Sequence, residues 1–194
     1  MTRMPLAERR QQLVDAAIAV MTREGVNKAT TRAIVAEAGT SLSVFHYCFD
    51  SKQSLLEAVI KTIVGKTVSL AEATIAPGSD QLDTIRNAFM AYWSHVKAHP
   101  EEHLLTYEVT QYCLRQPEFE HVAKHQYDLY AANFLALLDA FGLRPTVSNE
   151  TLARYLAVMT DGITLDWLAR RDDESAMAVI DTVVAQVGTL LAPA

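Results

Sequence analysis

Residues 30–52 read TTRAIVAEAGTSLSVFHYCFDSK, and two short helices are legible in them. Thr30 carries a hydroxyl suited to cap a helix ending near residue 38, Gly39 supplies a tight turn, and Ser41 can cap a second helix ending near residue 48. Ile34, Ala38, Phe45 and Phe49 recur at helical spacing and face inward, which leaves Ser41, Leu42, Ser43, Val44, His46 and Tyr47 outward. Two short helices joined by a turn of three or four residues form a helix-turn-helix.

The same periodicity extends in both directions from this pair. A first helix is predicted over 6–24, with Leu13, Ala16, Ala17, Val20 and Met21 on its apolar face and Gly25 as its stop. Ser51 caps a long helix from 52 to about 76, and the breakers APGSD follow at 76–80. Further helices are predicted near 81–98, 100–115, 119–141, 149–171 and 173–191, with breaks at His99-Pro100, Gln116-Pro117 and the Gly142 to Pro145 run. Strand-like alternation is absent. The expected fold is all-α, with about nine helices: an N-terminal three-helix domain over 1–51 and a larger helical domain over 52–194, connected by the helix that begins at residue 52.

At 194 residues and 50% hydrophobic content, the chain can bury a sizeable core. No apolar run approaches the roughly 20 residues of a membrane span, and the first residues lack the apolar middle of a secretory signal, so a cytoplasmic protein with no membrane partner is expected. Cys48 and Cys113 are too few for a disulfide framework and read as small buried hydrophobes rather than redox sensors. The net charge of −6 opposes nucleic-acid binding, but its distribution reverses that inference. Residues 1–66 carry nine basic and six acidic side chains, and the remainder carries eight basic and seventeen acidic. A basic head on an acidic body suits a protein that touches DNA with one end only.

In order and spacing, Thr30, Arg32, Ile34, Ala38, Gly39, Ser41, Phe49, Ser51 and Lys52 resemble the helix-turn-helix of the TetR family of regulators. Ser43 stands where the family usually has Gly, Phe45 takes the apolar Leu position, and His46-Tyr47 replaces Tyr followed by a variable residue. The resemblance implies a repressor that binds double-stranded operator DNA and is released by a small-molecule effector. It also implies a homodimer formed through the last two helices, no catalytic activity and no cofactor.

A helix seated in a groove needs small or hydrogen-bonding residues on its outer side. Leu42 and Val44 can touch thymine methyls, and Ser43 can bond a base edge. Thr31, Arg32, His46, Tyr47 and Lys52 are candidate phosphate clamps, and the capped helix starts at Thr30 and Ser41 add backbone N–H groups. Because the second helix carries no Arg, Asn or Gln, affinity is expected to rest on phosphate contacts and DNA shape. Arg3, Arg9 and Arg10 read either as a mobile basic arm or as solvated surface charge.

In the acidic body, Trp93, Tyr107, Glu108, Gln111, Tyr112, Tyr130, Met159 and Asp161 interrupt apolar helical faces and are the candidate effector residues. If Glu108 and Asp161 reach one aromatic-lined pocket, a cationic ligand is favoured. Gly162 is expected to permit a close helix approach. His95, His99 and His103, with His121 and His125, raise metal sensing, which the Pro100 break and the distant cysteines disfavour. A constitutive DNA-architectural role is the other alternative, but it leaves the large second domain without a purpose. No Gly-rich phosphate loop, nucleophile elbow or His-Glu-x-x-His pair is present.

Overall fold

The computed structural model describes residues 4–73 and 80–192, with the side chains of residues 67, 68, 71 and 72 set aside. Arg3 and residues 76–79 of the breaker run therefore lie outside the described residues. Within them the chain folds into nine α-helices: α1 (Leu6–Glu24), α2 (Thr31–Glu37), α3 (Leu42–Cys48), α4 (Lys52–Glu72), α5 (Gln81–Ala98), α6 (Pro100–Leu114), α7 (Glu120–Ala140), α8 (Asn149–Arg170) and α9 (Asp173–Thr189), with a 3-10 turn at Pro117–Phe119. No strand occurs among them, only a single bridge between Pro145 and Leu191.

Local chemistry sets the helix limits. Thr30, Ser41, Asp80, Ser148 and Asp172 each accept a backbone N–H from the first turn that they precede, satisfying donors that a helix start leaves open. Ser51 and Ser54 exchange reciprocal bonds at the start of α4. Gly25 ends α1 at φ 82° and Gly39 turns the chain at φ 59°, a region glycine enters without steric cost.

Two compact units result, Met1–Ile63 with Glu101–Gln126, and Val64–Pro100 with Tyr127–Ala194. In the first, α1, α2, α3 and the start of α4 bury Leu13, Ala17, Val20, Ile34, Phe45, Phe49, Leu55 and Leu56. In the same unit, α6 and the first turns of α7 are joined by the buried Gln126, whose carbonyl oxygen accepts from Thr110 Oγ1 at 2.9 Å.

The second unit packs α5, α8 and α9 around Ile85, Phe89, Trp93, Leu152, Leu156, Ile180, Val184 and Val187. Trp93 meets Trp167 edge to face at 5.4 Å. The Trp167 indole donates to Asp173 Oδ1 at 2.7 Å, and Lys97 Nζ donates to Asp173 Oδ2 at 3.1 Å, so one carboxylate ties three helices together. Gly162 is exposed, and a Cβ there would meet nothing within 4 Å, so the close approach expected of it does not occur within the chain. The crowded glycine is Gly188, where an added Cβ would stand 2.5 Å from Leu82 Cδ2.

Candidate nucleic-acid interface and effector residues

The outer face of α3 is built as the periodicity requires. Phe45 is 2% exposed and Cys48 is buried, whereas Leu42, Ser43, His46 and Tyr47 are exposed, Tyr47 at 62%. Val44 is half-buried. The Phe45 ring is held edge-on by His46 at 5.5 Å and tilted against Phe49 at 5.7 Å. Ser41 accepts from the Val44 N–H and Thr30 from the Ala33 N–H, so both N-termini are capped by their own hydroxyls. Arg32 is exposed and Thr31 half-buried on α2.

Lys52 faces a different neighbourhood from the other clamp candidates. Its Nζ donates to the Val26 carbonyl and to Tyr112 Oη, each at 3.4 Å, and lies 4.7 Å from the centre of the Tyr112 ring. The stem is thus drawn over an aromatic face within its own unit.

The start of α1 contributes residues that sequence reasoning read either as a mobile arm or as solvated surface charge, or passed over. Arg10 Nη1 donates to the Cys48 carbonyl at the end of α3, and its guanidinium lies 4.3 Å over the Phe49 ring. Gln12 Nε2 donates to the Ala38 carbonyl at 2.8 Å, while its own oxygen accepts from Arg9 at 2.8 Å. Arg9 and Arg10 are therefore anchored to the fold rather than forming an arm. Together these side chains close the C-terminal ends of both short helices, where carbonyls lack intrahelical partners. The contacts span 26 and 38 residues, so no local pattern announces them.

The candidate effector residues fall into two groups. Tyr107, Glu108, Gln111 and Tyr112 belong to α6 in the first unit. Glu108 Oε2 accepts from the Val26 N–H at 3.4 Å, Tyr112 stacks on Phe119 at 5.9 Å and meets Lys52, Tyr107 is buried, and Gln111 is exposed. Trp93, Tyr130, Met159 and Asp161 belong to the second unit. Trp93 is fully buried and its Nε1 has no hydrogen-bond partner among the described residues, while Met159 packs half-buried on the core. Asp161 Oδ2 accepts from Tyr127 Oη at 3.0 Å, and Tyr127 and Tyr130 meet edge to face at 5.5 Å. Tyr92 and Tyr127, which sequence reasoning missed, are brought into this group. Burial first, and the nearby Asp161 charge, raise both phenols well above the ordinary tyrosine range.

Burial also pushes the Cys113 thiol up to about 11, only partly opposed by Lys52, and Cys48 is buried as well. The His95 and His99 rings lie 4.7 Å apart, but among the described residues no three metal-ligating groups converge. No helix among them is long and apolar enough to cross a membrane.

A compact head that presents a short, doubly capped helix with hydroxyl, imidazole and phenol groups outward defines a helix-turn-helix DNA-binding regulator. The profile of bacterial regulatory proteins of the tetR family matches residues 13–59, and that of the tetracyclin repressor-like C-terminal domain matches residues 80–190. The chain is 30% identical over 185 residues to the HTH-type nicotine-responsive transcriptional repressor HdnoR of Paenarthrobacter nicotinovorans, covering 94% of this chain and 95% of that one. It is 25% identical over 175 residues to the HTH-type transcriptional regulator BetI of Escherichia coli O157:H7, covering 77% and 88%. Among solved structures, the multidrug binding protein EbrR complexed with imidazole superposes with a TM-score of 0.69 at 25% identity, over 96% of this chain and 92% of that one. A transcriptional regulator from Rhodococcus sp. Rha1, at 18% identity and a TM-score of 0.72 over 95% and 98%, shares the fold. The chain belongs to the TetR family of transcriptional regulators, and is a DNA-binding protein rather than an enzyme.

Proposed function

We propose that this protein is a cytoplasmic repressor that binds a palindromic operator as a homodimer and leaves it when a small molecule binds. The observation that carries this reading is the near full-length similarity to a repressor described as nicotine-responsive. Residues 1–51 form the operator-reading domain, in which Leu42, Ser43, Val44, His46 and Tyr47 meet the major groove. Thr30, Thr31, Arg32, Ser41 and Lys52 hold phosphates, although the inward bonds of Lys52 must first be exchanged. Residues 52–194 carry dimerisation and effector binding, with Trp93, Tyr107, Glu108, Gln111, Tyr112, Tyr130, Met159 and Asp161 as effector candidates.

Dimerisation through α8 and α9 is supported by what a single chain leaves uncovered. Val158 and Leu165 on α8 and Val179 on α9 are each nearly half exposed, and Gly162 lies exposed between the first two. A two-fold copy would cover these positions and give Gly162 the close neighbour it lacks. The dimer then sets two α3 helices about 34–36 Å apart, one turn of duplex. An effector releases DNA by favouring a different spacing, and its leverage is its difference in affinity between the two forms, typically about 1–3 kcal/mol.

The test is a footprint of the purified dimer on DNA flanking its own gene, followed by addition of candidate compounds. Protection of a palindrome that one compound class abolishes is the expected result. Protection that no compound alters would favour a constitutive architectural protein instead.

A further inference from the structure

Lys52, the first residue of α4, is a cation that no carboxylate meets among the described residues. Arg23, Arg86, Lys97, Arg154 and Arg170 each pair with an Asp or Glu. The partners of Lys52 are neutral. Its Nζ donates to the Val26 carbonyl and to Tyr112 Oη, each at 3.4 Å, and lies 4.7 Å from the centre of the Tyr112 ring. That ring has its own support, being stacked on Phe119 at 5.9 Å and 25°. Val26 does not depend on Lys52 for its place either. Its side chain is buried, and its N–H is accepted at 3.4 Å by Glu108, one turn before Tyr112 on α6. The ammonium can therefore leave without unmaking the turn between α1 and α2. All of these residues belong to the first unit.

Both oxygen contacts of Lys52 are longer than an ordinary N–H···O bond, so the ring face contributes most of what holds it. A cation over an aromatic ring at a partly exposed site is favoured by about two- to fivefold. A phosphate oxygen offers the same ammonium an opposite charge and a shorter, charge-assisted bond. The contact is thus strong enough to order the side chain in the free protein and weak enough to yield to DNA. We infer that Tyr112 is a positioning residue for operator binding: it parks the Lys52 ammonium against its ring in the DNA-free head, an operator phosphate competes with it for that charge, and Tyr112 thereby lowers operator affinity. This inference rests on the phosphate role proposed above for Lys52, and adds the residue on α6 that opposes it. A dimer seated on two half-sites releases two such lysines, so the combined effect is about five- to thirtyfold.

Fluorescence anisotropy on the full-length protein, with a labelled duplex of the DNA flanking its own gene and several salt concentrations, tests this. Tyr112→Leu, which removes the ring face, is expected to tighten binding by about five- to thirtyfold. The gain should be the same at every salt concentration, because Lys52 still reaches phosphate. Tyr112→Phe keeps the ring and loses only the hydroxyl, so its affinity is expected between wild type and Tyr112→Leu. Lys52→Met is expected to lower the salt slope by about one for each head. In that background Tyr112→Leu should change nothing. Melting curves accompany each variant, and Tyr112→Phe decides the sign if the Leu variant is unstable. Tyr112 variants that bind no more tightly than wild type, or a gain that persists in the Lys52→Met background, overturn the inference and leave Tyr112 a packing residue. An undiminished salt slope in Lys52→Met refutes the phosphate role of Lys52 and the inference with it, whereas a wild-type chain that binds no duplex refutes the repressor itself.

Discussion

Replacing Arg10 by Ala isolates the contact that closes the recognition helix. α3 has only seven residues, so most of its carbonyls depend on partners outside it. The Ala variant loses a charge-assisted bond to the Cys48 carbonyl, worth about 1.5–3 kcal/mol for a charged group. It also loses a guanidinium–ring contact with Phe49, worth about 0.5–1 kcal/mol at an exposed site. Because one partly solvated charge makes both, the two values overlap, and about 1.5–2 kcal/mol is the expected total. For a unit of this size that lowers Tm by roughly 6–15 °C. Arg10→Lys, which keeps the charge without the planar fork and stack, falls between. Thermal melts read the first effect, and operator affinity at several salt concentrations reads the second. Loss of pose weakens binding at every salt concentration alike, whereas loss of a phosphate contact reduces the salt slope by about one. An Arg10→Ala variant with an unchanged Tm and a reduced salt slope would show that Arg10 acts on DNA and not on α3.

Other perturbations address the rest of the structure. Ser41→Ala removes the hydroxyl cap on the Val44 N–H and is expected to cost about 0.5–2 kcal/mol, read from the urea midpoint; an unchanged midpoint would mean that water replaces the cap. The Asp173 carboxylate is held below its ordinary range, first by the Trp167 indole and then by Lys97. Its contribution is therefore complete above the unfolded-state value of about 3.9 and is lost as pH falls through the lower folded value, so acid unfolding of Asp173→Asn should show a weaker pH dependence below about pH 4. With Cys48 and Cys113 both buried and the Cys113 thiol raised to about 11, the native protein is expected to react with no thiol reagent at pH 8 until it is denatured; fast modification of either would reopen a redox role.

Helix limits were legible in the sequence because local residues set them. Ser148, Asp172, Gly25 and Gly39 each act within a few positions of their own place in the chain. The faces of α3 were legible for the same reason, since a seven-residue helix with Phe45 and Cys48 buried has only one way to turn outward. The effector group was not. On α6, Glu101, Leu104, Glu108, Gln111 and Leu114 form an exposed stripe that includes apolar residues, so hydropathy does not mark the buried face, and no local pattern says that Glu108 meets the Val26 N–H or that Tyr112 meets Lys52. Tyr92 and Tyr127 acquire their meaning from partners 72 and 34 residues away. Arg10 looked like one of several N-terminal charges because nothing near it in the chain reveals its carbonyl partner on α3.

Operator binding by a surface variant of α3 tests DNA recognition most directly. Ser43 and Tyr47 are both exposed, and Tyr47→Ala with Ser43→Ala should leave stability within about 0.5 kcal/mol each. Hydroxyl-radical footprinting of wild type is expected to show two protected patches about one helical turn apart, and the double variant, folded and dimeric, is expected to protect neither at the same concentration. Undiminished protection by the double variant, or a wild-type dimer that protects no double-stranded sequence, would contradict recognition through this helix.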